Sequence, residues 1–185
     1  DDTYSKRLER RLNYFVTLKT GKKYEVINMS WCGFSTFQEI NELELIKSYQ
    51  PDIIVWGYCL NDTEDWADPV GVQTLRYWLI YKREPKKILK FIYHNSYSIS
   101  FVAERLTNLR IGLGNKKYYK HLYDDSYIGW IRVQKSFEIM REQKIPIVVL
   151  IFPLISYKLD GGYPFSGIHQ KLKKELEKNS LSYID

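Results

Sequence analysis

The chain has 185 residues, of which 44% are hydrophobic and 27% charged, with a formal net charge of +6. That size suits one domain better than two, and the composition excludes a disordered or fibrous protein. No stretch approaches the roughly 18–20 uninterrupted apolar residues of a membrane-spanning helix, and two cysteines, Cys32 and Cys59, exclude a fold built on disulfides.

Taken in order, residues 3–18 predict a helix, because Tyr4, Leu8, Leu12 and Phe15 recur at spacings of four and three, with basic residues opposite. Asp1 to Lys6 carry no apolar run of the signal-peptide kind, which says nothing of export. Gly21 stops the helix. Tyr24 to Met29 predict a short strand, followed by the turn Ser30-Trp31-Cys32-Gly33-Phe34. Ser35 or Thr36 caps a second helix with Glu39 near its start, in the manner of a capping box, and Pro51 closes it after Tyr49. Asp52 to Tyr58 form the strongest strand. Its apolar residues are continuous instead of alternating, as in a parallel strand covered on both faces. It ends in the polar loop Cys59-Leu60-Asn61-Asp62-Thr63-Glu64-Asp65.

Residues 64–126 read as a helical insertion. Within them, residues 76–120 hold eleven Lys/Arg against two Asp/Glu, a local balance of +9 that leaves −3 for the rest. Aromatics are interleaved, among them Tyr77, Trp78, Tyr81, Phe91, Tyr93, Tyr97, Phe101, Tyr118 and Tyr119. Such a segment suits an anionic membrane or acidic glycan; the plainer reading is a solvated insertion whose aromatics pack inward. Without a zinc-finger spacing or an RNP-like aromatic motif, nucleic acid is the weaker expectation. A helix over 127–143, a strand over Ile147 to Phe152 ended by Pro153, a helix over about 164–179 and a last strand over Leu181 to Asp185 complete the pattern. Helices alternating with apolar strands predict a parallel sheet with helices on both faces, and ligands of such sheets bind beyond the carboxyl ends of the strands. Here those ends are Ser30–Gly33, Asn61–Asp62 and, less tellingly, Phe152-Pro153.

Three of these segments, in order, carry a resemblance. Asn28-Met29-Ser30-Trp31-Cys32-Gly33-Phe34-Ser35-Thr36 resembles the second sequence block of the SGNH, or GDSL-type, hydrolases. Pro51 to Asp62 looks like the third block, an apolar strand ending in Asn-Asp, and Ile145 to Pro153 is similar to a later strand of that fold. The resemblance implies a three-layer α/β/α sandwich with a flavodoxin-like parallel sheet, residues 1–185 being one domain interrupted by the insertion at 64–126. It implies a serine esterase or acyl transferase working through an acyl-enzyme, with the amide of Gly33 and the carboxamide of Asn61 as oxyanion donors facing one cavity. A glycine admits substrate close to its amide, having no Cβ in the way, and an Asn amide is a neutral donor to an oxygen that gains charge. Neither the nucleophile block nor the Asp-x-x-His block occurs in residues 1–185, so the resemblance implies a Ser before Asp1 and an Asp-His pair after Asp185.

Each residue also has a plainer role. Asn61 could cap a turn, Gly33 could serve only a positive φ, and Asp62 is expected to hold its loop through backbone amides. Ser30 is the substitute nucleophile within the chain but lacks the surroundings of a nucleophile elbow. His169 falls at the start of a helix before the last strand and reads as structural or surface, while His94 and His121 have no readable partner. Asp62, Glu64, Asp65 and Asp68 lack the glycine and terminal Glu of a calcium loop and read as solvated; Cys32 and Cys59 read as buried small hydrophobes. No metal or cofactor is expected. The expected partner is a small-molecule, lipid or saccharide ester, and the alternatives are a non-catalytic scaffold domain and a peripheral membrane protein that docks through the basic insertion.

Overall fold

Among the described residues three apolar runs form the strands of one sheet, β1 (Ile54–Cys59), β2 (Ile147–Phe152) and β3 (Ser182–Ile184). Their order is β1-β2-β3 and both pairings are parallel, with Ile54 opposite Ile147, Cys59 opposite Phe152 and Val148 opposite Ser182. The computed structural model describes residues 3–31, 33–64, 97–155 and 157–185, and the chain divides into two compact units, Asp1–Gly33 and Phe34–Asp185. The first half of the expected insertion, with His94, Asp65 and Asp68, lies outside the described residues, as does Cys32.

The first unit holds α1 (Tyr4–Phe15) and α2 (Thr17–Thr20), ended by Gly21 at φ 66°. The expected strand over Tyr24 to Met29 is absent: the segment carries no strand pairing. Its backbone is tied to α1 instead. The Asn13 carboxamide donates to the Tyr24 carbonyl at 2.7 Å and accepts the Tyr24 amide at 2.9 Å, while Glu9 accepts the Val26 amide at 2.7 Å. Side chains thus take over the pairing that a neighbouring strand would supply.

In the second unit Ser35 is the cap and Gln38, not Glu39, closes the capping box by accepting the Ser35 amide at 3.0 Å and its hydroxyl at 2.8 Å. The helix proceeds as α3 (Thr36–Glu39), a 3-10 turn (Ile40–Glu42) and α4 (Leu43–Ser48). Then come α5 (Tyr97–Leu122), α6 (Ile128–Arg141) and α7 (Ser166–Lys178). Ile54, Trp56 and Tyr58 of β1, with Ile147, Val149 and Ile151 of β2, form the buried face of the sheet. They join one core with Trp130, Val133, Phe137 and Met140 of α6 and Leu172 and Leu176 of α7. The other face of β1 is not covered as its continuous apolar run led one to expect. Burial alternates strictly along β1, and Val55 is 45% exposed. The fold is therefore mixed α/β with a three-stranded parallel sheet.

The aromatics of the basic segment divide. Tyr118 is buried and Tyr119 half-buried near the end of α5, whereas Tyr97 and Phe101 at its start are exposed. No helix among the described residues is long and apolar enough to cross a membrane.

Candidate functional site at the end of strand β1

The core strand β1 runs directly into a turn that is held from several directions. Asp62 Oδ2 accepts the Cys59 amide at 2.8 Å, and the Asn61 carbonyl accepts the Glu64 amide at 2.9 Å. Below it, the buried Tyr58 and Tyr123 hydroxyls lie 2.8 Å apart and Tyr123 donates to the Leu60 carbonyl at 3.1 Å. With its one proton committed to that carbonyl, Tyr123 must accept from Tyr58. Burial raises both phenols well above their ordinary pKa, Tyr58 further so through Tyr123 and Asp62. Glu64 accepts from the buried Tyr118 hydroxyl. Asp62 and Glu64 are thus buried, not solvated as their charge suggested, because a backbone amide and a phenol take the place of water.

Asn61 is different. It is exposed, and its carboxamide makes no hydrogen bond to a described residue, while its main chain is fixed by the bonds just named. A turn-capping Asn spends its side chain on the backbone; this one leaves a neutral donor facing outward at the carboxyl end of a parallel strand.

Gly33 belongs to the first unit. Its φ of +85° is the left-handed conformation that favours glycine, and an added Cβ would meet nothing within 4 Å. Ser30 is engaged in its own turn. Its hydroxyl donates to Asn28 Oδ1 at 2.7 Å and its amide to the same oxygen at 3.1 Å, so its proton is committed within the turn.

Two carboxyls near the turn are perturbed. Asp62 is pushed up to about 7 by burial, against the Cys59 amide and with help from the Glu39 and Glu64 carboxylates. Glu39 is likewise pushed up to about 7 by burial, opposed by Trp56. Cys59 is exposed, not buried as expected, yet partial desolvation, then Asp62 and Glu39, push its thiol up to about 11, so it is a poor nucleophile at neutral pH. A carboxyl with a folded pKa above its unfolded value keeps a proton that the unfolded chain releases. Its contribution is therefore most favourable below the unfolded pKa near 4 and is lost as pH rises towards 7. Asp62→Asn keeps the acceptor oxygen and removes the charge. We expect it to flatten the decline in thermal midpoint over that interval and to raise the midpoint at pH 8 by roughly 2–4 °C per kcal/mol relieved. A decline parallel to that of the parent would refute the assignment.

At the carboxyl ends of β2 and β3 lies a pair that sequence reading missed. His169, 6% exposed on α7, has Nδ1 2.5 Å from Asp185 Oδ1, and Lys173 Nζ lies 2.8 Å from Asp185 Oδ2. The Tyr163 hydroxyl is 3.4 Å from His169 Nε2 and accepts the Leu154 amide at 2.9 Å. Nδ1–H to Asp185 and Nε2 towards Tyr163 is the tautomer this arrangement selects. The nitrogen that a catalytic base turns to its nucleophile thus faces a phenol, and the group clasps α7 to β3, a structural role as one of the two readings had it. Burial alone would raise Asp185; the Lys173 and His169 hydrogen bonds outweigh it and hold the carboxyl below its ordinary value. That stability is present above the unfolded pKa near 4 and lost as pH falls through the lowered folded value. Asp185→Asn should cost about 1.5–3 kcal/mol at neutral pH, with the gap closing in acid. Urea unfolding at pH 7 and pH 3 checks this, and an equal gap at both excludes it.

His121 is exposed, its ring 4.9 Å from that of Tyr127. Among the described residues no group of three or more His, Cys, Asp or Glu could hold a metal ion. No protein family, no curated protein and no solved structure matches the chain.

Proposed function

We propose that the chain acts as an SGNH-type serine esterase or acyl transferase, with Asn61 and Gly33 as oxyanion donors. The observation that carries this reading is the exposed, uncommitted carboxamide of Asn61 on a turn whose backbone is independently fixed. The same reading extends the three parallel strands to a three-layer, flavodoxin-like sandwich, in which β1 would be an inner strand covered on its open face.

In this mechanism a serine Oγ attacks the ester carbonyl carbon while its proton passes to a base. The carbonyl electron pair moves onto oxygen, where the Asn61 Nδ2–H group meets the new charge. Collapse expels the alcohol with that proton, and water or a second alcohol takes the acyl group from the enzyme. Oxyanion stabilisation of this kind needs no cofactor. A rigid turn matters because a donor already aimed at the developing oxyanion reorganises little during reaction. The experiment is hydrolysis of p-nitrophenyl acetate by the protein and by its Asn61→Ala variant. Equal turnover in the two would remove Asn61 from the mechanism, and an inert parent would favour a non-catalytic scaffold.

A further inference from the structure

The solvent face of α5 combines apolar and basic side chains in a way the esterase reading does not use. Tyr97 is 86% exposed, Phe101 49% and Val102 55%, all within the first two turns of the helix. Arg105, Lys116, Lys117 and Lys120 are exposed too, and none of them forms an ion pair with a described residue. At 100° per residue, measured from Tyr97, Phe101 lies at about 40°, Arg105 at about 80°, Lys116 at about 100°, Val102 and Lys120 at about 140° and Lys117 at about 200°. The buried Tyr118 and Leu122 fall at about 300° and 340°, outside the arc of about 40–200° that runs from Phe101 to Lys117. Over Tyr97 to Leu122 the sequence has five Lys/Arg against the single acid Glu104, a balance of +4. One arc of the helix, about 28 Å long from Phe101 to Lys120, therefore offers two apolar side chains, Phe101 and Val102, at one end and three lysines at the other.

We propose that this arc docks the protein on an anionic lipid surface, with Phe101 and Val102 entering the headgroup boundary and the lysines meeting lipid phosphates. Charge complementarity supplies most of the attraction, since clusters of four to eight basic residues bind acidic bilayers at about 1 kcal/mol per residue near the surface. Nucleic acid fits less well. Base stacking needs free aromatic faces, whereas the Tyr97 and Phe101 rings stack on each other at 6.5 Å and Arg105 sits 5.5 Å from the Phe101 centroid. Insertion into a bilayer boundary asks only for exposed apolar surface. The proposal stands apart from ester hydrolysis and would hold for a scaffold protein equally.

The experiment is co-sedimentation of the full chain with vesicles of phosphatidylcholine alone and of phosphatidylcholine with one quarter phosphatidylglycerol, at low and high salt. Binding is expected to the anionic vesicles only, and to weaken in high salt. Lys116→Gln with Lys117→Gln and Lys120→Gln should lower the partition by about a hundredfold, three charges at about 1 kcal/mol each. Phe101→Ser with Val102→Ser should lower it by about tenfold, with the salt dependence retained. Circular dichroism confirms that each variant folds, and the two variants alter separate ends of the arc. Equal binding to neutral vesicles, no binding to either, or binding unchanged in both variants would overturn the proposal. So would capture of a single-stranded oligonucleotide, sensitive to the same substitutions, without binding to the anionic vesicles.

Discussion

Alanine in place of Gly129 is expected to destabilise the protein by about 3 kcal/mol, at the top of the usual range for overpacked interiors. Gly129 is the second residue of α6 and is buried. A Cβ there would stand 1.9 Å from the Thr63 carbonyl oxygen, 2.5 Å from a Tyr127 ring carbon and 3.1 Å from the Thr63 carbonyl carbon. Two of these neighbours are backbone atoms and cannot swing aside, so α6 or the turn after β1 must move. The turn is already fixed by the Asp62 bond to the Cys59 amide and by Glu64 beneath Tyr118. Its displacement would break at least one of those contacts. Gly167→Ala provides the control: that glycine lies in the first turn of α7 with nothing within 4 Å of an added Cβ. There the substitution removes only glycine's helix penalty and should stabilise by up to about 1 kcal/mol. Urea denaturation of the two variants should therefore move in opposite directions. A Gly129→Ala protein as stable as the parent would mean that α6 does not pack backbone-to-backbone on this turn.

The same close approach bears on what a sequence can disclose. Gly129 interrupts an otherwise helical pattern, a recognised sign of tight packing, but nothing local says that Thr63, sixty-six positions earlier, is what it packs against. The strands β1 and β2 were legible because each is a short apolar run rich in β-branched and aromatic residues and preceded by a proline, and both start and stop within two residues of expectation. Tyr24 to Met29 has similar composition and is no strand. Whether an amide meets another strand or the side chains of Asn13 and Glu9 depends on a partner the segment does not encode. Glu64 looked solvated for a related reason: its partner, the Tyr118 hydroxyl, lies 54 residues further on and arrives with α5. The His169–Asp185 pair spans 16 residues, a helix and a turn, so no helical or strand periodicity announces it. At the candidate site the residue type and the strand end could be read from Asn61 alone. That its side chain is free while its backbone is bound could not.

On the proposed function, Asn61→Ala should lower kcat for ester hydrolysis by about a hundredfold to a thousandfold while leaving KM nearly unchanged, because an oxyanion donor acts on charge that develops after the substrate has bound. That range corresponds to about 2.7–4 kcal/mol of barrier. The prediction is clean because the hydrogen bonds that hold the turn use the Asn61 carbonyl, the Asp62 carboxyl and the Cys59 amide, and none uses the Asn61 carboxamide. Alanine at an exposed position with those bonds intact should change stability by no more than about 0.5 kcal/mol. Activity and folding are thereby separated within one substitution, as they are not at Gly33, where φ of +85° strains any side chain. Asn61→Asp gives a second test. A carboxylate there would face the oxyanion with like charge, so turnover at neutral pH should fall at least as far as in the alanine variant, with partial recovery in acid as the group protonates. A fall in KM-controlled binding with kcat intact would instead make Asn61 a substrate-binding residue, and equal loss of folding stability and turnover would make it a structural one.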